Sequence, residues 1–538
     1  MMWDCIIIGI NEQEFDSNAR CQENLKKYSG SYEEVLTNSI RMEGKYYTSI
    51  ELMNLLLKET TAMDWNLNVF ETPNLGVYYL TNFLRKRGLK IAFINHYNTG
   101  KEKLSHLMEE GVRCIAITTT FYVTDKPIIE IVQDIRKIEK SIQIIVGGPR
   151  IYDIYTTQSE AKRNMWLGRI GADYYIINSQ GESALFELVS TIKSKGNLNT
   201  SVIPNVISVK DGELTQCIHV SESNPLDENV IDWDLFDQSE FNRVVYMRTT
   251  RGCRYSCAYC TYPQFAGKYE CSQLSSIEHE MNQLKRKDVK YIIFVDDSFN
   301  IPTDRFKSIC EMMIRKQYHF QWLSFFRCVN VSEELVQLMK ESGCIGVYLG
   351  IESLNKTILK NMRKADINYI ACRELFAKYD ILTLGSFIVG FPGETEETIK
   401  ETIQIFNAYP TTFYNPQLYY HSKMAPINQQ ADLFQIEGKG GYAWSHVSMD
   451  WKEAVYWKNY MIQNVNQSIL LPLNSSGIWA LPYLLESGIT LNFFMEYSRI
   501  VSDIIKENTV SDTFQTKEEI FRRFKGINME VEYGKLAY

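Results

Sequence analysis

Arg251-Gly252-Cys253-Arg254-Tyr255-Ser256-Cys257-Ala258-Tyr259-Cys260 is the stretch whose reading decides the fold. Three cysteines spaced CxxxCxxC in so short a loop stand within a few ångströms of one another, a poor arrangement for core filler. The spacing suits three corners of a cubane 4Fe-4S cluster, with the fourth iron left open for a substrate or cofactor. A zinc knuckle is the competing reading, and it would lack its fourth protein ligand, whereas structural zinc is held in a closed tetrahedral site. The run Val244 to Thr250 just before the loop reads as a strand.

With that strand in front and Tyr259 before the last cysteine, the segment resembles the signature of the radical S-adenosylmethionine (SAM) superfamily. The resemblance implies that Cys253, Cys257 and Cys260 ligate the cluster and that its open iron chelates the amino and carboxylate groups of SAM. One electron, from an external donor such as flavodoxin or ferredoxin, then splits the sulfonium to give a 5'-deoxyadenosyl radical. Such a radical attacks unactivated C-H bonds, so the protein must exclude water and hold the target atom close. Tyr259 is expected over the adenine or the cluster.

The chain has 538 residues, 45% of them hydrophobic, which is enough for two or three cores at roughly 100 to 200 residues per domain. A formal net charge of -8 and the lack of a long Lys/Arg block argue against a dedicated nucleic-acid surface. Met1-Met2-Trp3-Asp4 carries no basic leader, and no run approaches the roughly 18 apolar residues of a membrane span, so a cytoplasmic, soluble protein is expected. Nine of the 12 cysteines are scattered singly and read as ordinary thiols in a reducing compartment.

Upstream of the cysteine loop, short β-branched runs alternate with helical stretches, the pattern of a doubly wound, Rossmann-like parallel sheet. Strands are expected at Cys5 to Ile10, Lys90 to Asn95, Cys114 to Thr119, Ile142 to Val146 and Ala172 to Ile177. Helices are expected at Gly76 to Arg87, Lys101 to Glu110, Pro127 to Glu139 and Gly181 to Lys195. Ligands in such sheets sit outside the carboxyl ends of the strands. Those ends carry Thr118-Thr119-Thr120, Gly147-Gly148-Pro149 and Gln180-Gly181-Glu182.

Together with Asn74 to Leu80 and Phe83 to Gly88, these segments resemble the cobalamin-binding domain that often precedes a radical SAM domain. The resemblance makes Thr118, Thr119, Gly147, Gly148, Pro149, Gln180, Gly181 and Glu182 candidate cobalamin contacts. Domains that bind cobalt through imidazole carry Asp-x-His-x-x-Gly. Here the corresponding stretch reads Asn95-His96-Tyr97-Asn98-Thr99-Gly100, which removes His96 as a sure ligand. Glu12 to Phe70 exceeds an ordinary loop of about 4 to 6 residues and is expected to be an insertion over the cofactor edge.

The expected organisation is a cobalamin-binding domain over 1–200, a linker over 201–245 with a hairpin around Asp211-Gly212, a radical SAM partial barrel over 246–418, and a C-terminal, mostly helical cap over 419–538. The superfamily resemblance implies a six-stranded TIM-like (βα)6 barrel with its site at the strand C-termini. Those ends carry Asp296-Asp297, Arg327, Glu352 and Gly390, which resemble in order the superfamily's SAM amino-group site, its third-strand polar position, its ribose or carboxylate contacts and the glycine-rich turn near adenine. Asp296 and Asp297 read equally well as helix caps. Arg327 suits the SAM carboxylate, because a guanidinium fork matches it bidentately, and equally an ion pair with Glu352.

The C-terminal segment places Tyr419, Tyr420, His421, Trp444, His446 and Asp450 on expected loops, and Tyr420, His421, Trp444 and His446 are the candidates for substrate orientation or proton transfer. Its Trp-Ser-His-x-Ser-Met-Asp run resembles radical SAM methyltransferases of natural-product pathways, including those acting on phosphinates and ribosomal peptides. The expected function is cobalamin-dependent methylation of an unactivated carbon, or phosphorus, of a small-molecule or peptide substrate. Oxidation, cyclisation or rearrangement without methyl transfer is the alternative. A cofactor sensor would not need a complete SAM-type barrel, and a methylthiotransferase would add three clustered cysteines near the N-terminus.

Overall fold

The computed structural model describes residues 2–527, apart from 62–63, 73, 123, 195–202, 211–212 and 475. The chain forms two compact units: Met1–Gln13, Phe70–Tyr246 and Phe265–Asp288 make the first, while Glu14–Val69, Met247–Gln264 and Val289–Tyr538 make the second.

In the first unit, five parallel strands stand in the order Ile91–His96, Trp3–Ile10, Val112–Thr118, Gln143–Gly147 and Tyr174–Ile176. This order, with the first strand inside and its successor at the edge, is that of a doubly wound sheet. The expected strands are present, and Val206–Lys210 and Glu213–Leu214 extend the sheet antiparallel beyond Tyr174–Ile176. The turn expected at Asp211-Gly212 lies outside the described residues. The runs are continuously apolar because both faces are covered: Ile6, Ile8, Ile115, Ile117, Ile144 and Val146 are all buried. Helix Lys126–Ile138 covers part of that surface with Ile128, Ile131, Val132 and Ile135. The helix expected from Gly181 runs Glu182–Lys193, and Lys195 lies outside the described residues. Two helices not expected from sequence, Pro149–Thr157 and Glu160–Ile170, follow the Gly147-Gly148 turn.

Val244–Met247 carries the chain from the first unit into the second, where Tyr291–Phe294, Gln321–Phe326, Cys344–Glu352, Leu382–Val389 and Phe413–Leu418 follow as neighbours in chain order. These six strands, separated by helices such as Thr303–Arg315 and Glu333–Glu341, make the expected open βα barrel; a short strand, Ile469–Leu470, extends it. Trp479 stacks on Tyr348 with ring centroids 5.9 Å apart and lies 4.7 Å from Phe325, adding an aromatic layer to these strands.

Glu14–Val69, most of the stretch expected as an insertion over the cofactor edge, belongs instead to the second unit, where it packs with the C-terminal helices. Buried Lys458 pairs with Glu34 at 2.6 Å, Asn459 donates to Glu33 at 2.6 Å, and Arg41 reaches Asn508 at 3.2 Å. The C-terminal segment is mostly helical, with Trp451–Asn464 and Leu491–Asn508 as its longest helices. Part of the expected loop is a small antiparallel sheet of Glu437–Gly440, Ala443–His446 and Met449–Asp450. Among the described residues no helix is long and apolar enough to cross a membrane.

Candidate functional site

The strand expected over Val244 to Thr250 ends at Met247, and Thr249 and Thr250, which lead on to the cysteine loop, are both gripped by Asp296 from just beyond the neighbouring strand, Tyr291–Phe294. Asp296 accepts from Thr249 N and Thr249 Oγ1, each at 2.8 Å, from Thr250 Oγ1 at 2.7 Å, and from Thr250 N. With these donors taken and the side chain fully buried, Asp296 positions the loop from behind; it does not line the cavity. Burial pushes its pKa up against the pull of the threonines.

Beyond this anchor, Cys253, Cys257 and Cys260 line one cavity of about 350 Å³ at the C-terminal ends of the barrel strands, together with Tyr259, Asp297, Arg327 and Glu352. Burial raises the Cys253 thiol and pushes Cys260 up to about 11. Burial therefore favours the protonated form of Cys253 and Cys260 unless a metal replaces the protons. Among the described residues no group of three or more His, Cys, Asp or Glu is arranged to hold a single metal ion. A cubane gives each thiolate a different iron, so its corner cysteines stand farther apart than the ligands of one ion, and a shared wall of three thiols fits that group. Asp297, the other carboxylate on this side, is pushed to about 7 by burial.

Across the cavity, Glu352 is held in a buried polar cluster. Tyr259 donates its hydroxyl to Glu352 Oε1 at 3.0 Å, Lys364 Nζ pairs with the same oxygen at 3.0 Å, and Ser386 donates to Oε2 at 3.3 Å. Burial first, then the Glu352 charge, drives the Tyr259 phenol well above its ordinary range. Lys364 was not singled out from sequence. It follows the tight turn at Arg363, with φ of 56°, and no periodicity marks it. The sequence also left Arg327 a choice between the SAM carboxylate and Glu352. Its ion-pair partner is instead Asp366 at 2.5 Å, because the lysine already occupies the Glu352 carboxylate.

Gly390 lies in the turn after Leu382–Val389, with φ of 90°; a Cβ there would come within 2.6 Å of Ala454 and Trp444. Its N–H donates to Glu394 at 2.6 Å, and its carbonyl accepts from His446 Nε2 at 3.0 Å. Glu394 is fully buried and pushed up to about 8. The donation fixes the His446 tautomer, so Nδ1 accepts from Ser448 Oγ at 3.0 Å. Trp444 stacks on His446 at 5.0 Å and donates to the Tyr419 carbonyl at 2.8 Å. Trp444 and His446 therefore meet at the Gly390 turn, and neither lines the cavity. Nor do Tyr420, which is half exposed against Tyr442, and His421, whose Nε2 meets Asn428 at 2.9 Å. Asp450 caps helix Trp451–Asn464.

In the first unit, the carboxyl ends of the strands collect the expected groups. Thr119 donates through N and Oγ1 to Gly147 O, each at 2.9 Å, and Thr118 and Thr120 share a hydroxyl contact at 3.1 Å. Gly148 has φ of 105°, and a Cβ would lie 2.9 Å from Thr119 Oγ1, so only glycine keeps this turn; Pro149 then opens its helix. Gln180 and Glu182 both hold Asn224, at 3.2 and 3.1 Å, around Gly181 with φ of 75°. His96 is buried and stacks on Phe70; its Nδ1 meets Thr99 at 3.1 Å, and its Nε2, 3.9 Å from the Glu12 carboxylate, has no hydrogen-bond partner among the described residues. Burial lowers its pKa. Among the described residues, Asn11 Oδ1 and Asn74 Nδ2, at the same end of the sheet, are likewise buried without hydrogen-bond partners, which fits a ligand edged with polar groups.

Residues 247–406 match the radical SAM superfamily. The chain is 24% identical over 390 residues, 68% of each protein, to the anaerobic magnesium-protoporphyrin IX monomethyl ester cyclase of Rubrivivax gelatinosus. Two further relatives are matched over 58% and 60% of their own length. The fold resembles that of the radical SAM methyltransferase TsrM from Kitasatospora setae, solved with cobalamin and a [4Fe-4S] cluster bound, with a TM-score of 0.56 and 18% identity over 68% of this chain and 73% of that one. It also resembles the cobalamin-dependent SAM radical enzyme OxsB, solved with aqua-cobalamin, with a TM-score of 0.57 and 15% identity over 85% and 82% of the two chains.

Proposed function

We propose that this chain, whose residues 247–406 match the radical SAM superfamily, is a cobalamin-dependent radical SAM methyltransferase acting on an unactivated carbon, or phosphorus, of a natural-product or peptide substrate. The observation that carries the reading is the cavity that sets three cysteines on one wall and the Glu352–Lys364 pair on another, within a fold shared with TsrM. Its volume lies within the range of small-molecule sites, about 300–1,000 Å³.

Cys253, Cys257 and Cys260 hold the cluster in this reading. When bound, the cluster supplies the electron that opens the SAM sulfonium, and cobalamin carries the methyl group. Glu352 and Lys364 present opposite charges, matching the ammonium and carboxylate of an amino-acid end such as SAM carries, and Tyr259 orients the carboxylate between them. Phe325, Phe326 and Phe387 line the remaining wall and keep water from a reactive radical. The Thr118–Thr120, Gly147–Pro149 and Gln180–Glu182 turns are assigned to the corrinoid, with His96 outside its coordination sphere. The electron comes from an external donor such as flavodoxin or ferredoxin, and the cytoplasm is the compartment assigned.

Anaerobic reconstitution tests the assignment. Iron and sulfide near four per chain, 5'-deoxyadenosine formation under strong reductant and a corrinoid spectrum that survives desalting are expected. Cys257→Ala should lose the cluster, His96→Ala should keep the corrinoid and Gly148→Ala should shed it. Retention of the full cluster and cleavage by Cys257→Ala would overturn the cysteine assignment. Likeness to a cyclase supports a second reading, ring formation on the same radical without methyl transfer; methyl incorporation from labelled SAM separates the two.

A further inference from the structure

Arg327 occupies an unusual position for a residue expected to meet a carboxylate. Its guanidinium is buried, with 5% of the side chain exposed, and points Nη1 at Cys257 Sγ over 3.5 Å. The flat of the group lies 3.6 Å from the Tyr255 ring centroid, and Nη2 pairs with Asp366 at 2.5 Å. Asn300 fixes the backbone from both sides, accepting from Arg327 N at 3.0 Å and donating to Arg327 O at 2.9 Å. A cation so restrained next to one sulfur does not swing freely toward a small ligand.

We infer that Arg327 tunes the reduction potential of the cluster, by donating an N–H···S hydrogen bond to Cys257 and setting a permanent positive charge beside it, with Asp366 attenuating that charge. The inference rests on Cys253, Cys257 and Cys260 holding the cluster. Reduction adds one negative charge to the cluster, and a nearby cation and a hydrogen bond to a ligating sulfur both stabilise the more negative state. Arginine is the suitable cation because it stays protonated wherever it is buried. Stacking on Tyr255 orients the fork while Asp366 occupies its far nitrogen, leaving Nη1 for the sulfur. Tyr255 also lines a second, open cavity with Arg254 and Asn330, so the Arg327–Tyr255 pair separates the cluster pocket from solvent on that side. Low solvent access strengthens the influence of a fixed charge.

The test is a redox titration of the reconstituted protein followed by electron paramagnetic resonance, without SAM or substrate. Arg327→Gln should lower the midpoint so that, at a fixed potential, the ratio of reduced to oxidised cluster falls about tenfold, or about 59 mV for a one-electron couple. Arg327→Lys should fall between the two, keeping the charge and losing the fork. Asp366→Asn should move the midpoint the other way, by less, since its carboxylate is half exposed. Iron and sulfide content equal to wild type in each variant establishes that the shift belongs to the cluster. If Arg327→Gln takes up no cluster, Arg327→Lys and Asp366→Asn decide, with the same opposite signs. Unchanged midpoints, or shifts of one sign on both sides of the ion pair, would overturn the inference with the cluster reading intact. A wild-type protein that binds no iron would overturn that reading and the inference with it.

Discussion

Asp296 accepts both the backbone N–H and the hydroxyl of Thr249, each at 2.8 Å, so a carboxylate at one strand end fixes where the cysteine loop leaves the next. Asparagine at 296 keeps the shape but turns one acceptor into a donor facing hydroxyls and amides. A hydrogen bond to a charged group contributes about 1.5–3 kcal/mol, so Asp296→Asn should lower unfolding stability by about that much. Because the strain falls on the loop that carries Cys253, iron content after reconstitution should drop as well. Urea denaturation and iron counting check the pair; a fully loaded Asp296→Asn protein would show that the clamp does not set the loop.

The Glu352–Lys364 pair makes a second case in which one substitution exposes the other partner. Both side chains are buried, at 10% and 6% exposure. Lys364→Met leaves an uncompensated carboxylate, which costs about 3–5 kcal/mol. Adding Glu352→Gln removes that charge, so the double variant should recover much of the stability while remaining unable to bind SAM. A double-mutant cycle in urea with SAM binding by calorimetry reads both quantities. Additive losses would mean that the two groups do not interact.

The cysteine loop, the five-strand Rossmann-like core and the barrel strands were legible because each depends on local patterning: short β-branched runs, glycine turns and a fixed spacing of thiols. Asp296, Asp297, Arg327, Glu352 and Gly390 were legible as strand-end residues. Their partners were not, because Lys364 and Asp366 come from a turn with no periodic signal, and burial decides which cation meets which carboxylate. Sequence places Glu12 to Phe70 as an insertion over the cofactor edge, whereas Glu14–Val69 belongs to the second unit. Its anchors, Glu33, Glu34 and Arg41, meet Asn459, Lys458 and Asn508, more than 400 residues away, a separation that no local pattern reports.

Glu394 gives a pH dependence with a definite sign. Its carboxyl titrates at about 8 in the folded protein because burial opposes the charge. The unfolded chain holds it near the ordinary value of about 4.3. The folded state therefore binds more protons across that window, and the group's contribution is fully present below the unfolded pKa and lost as pH rises through about 8. Each pH unit within the window removes up to about 1.4 kcal/mol. Glu394→Gln, which still accepts from Gly390 N, should flatten that part of the profile. Urea unfolding from pH 5 to 9 checks it, and parallel profiles for both proteins would exclude the group.

Trp444 and His446 were selected from sequence as groups for orienting a substrate, and their geometry leads to a different expectation. Both nitrogens of His446 are occupied, one by the Gly390 carbonyl and one by Ser448, while the Trp444 indole N–H is spent on the Tyr419 carbonyl. Neither has a polar group left for a ligand, whereas the turn they brace adjoins the barrel end. Replacing both with alanine should loosen that turn and lower 5'-deoxyadenosine and product together, by about the same factor, with weaker SAM binding as the cause. His446→Gln, whose amide can still donate to the Gly390 carbonyl, should restore part of both. Product loss with 5'-deoxyadenosine formation intact would instead place Trp444 and His446 on the substrate, and rescue by His446→Gln would then fail, because an amide cannot replace imidazole in proton transfer.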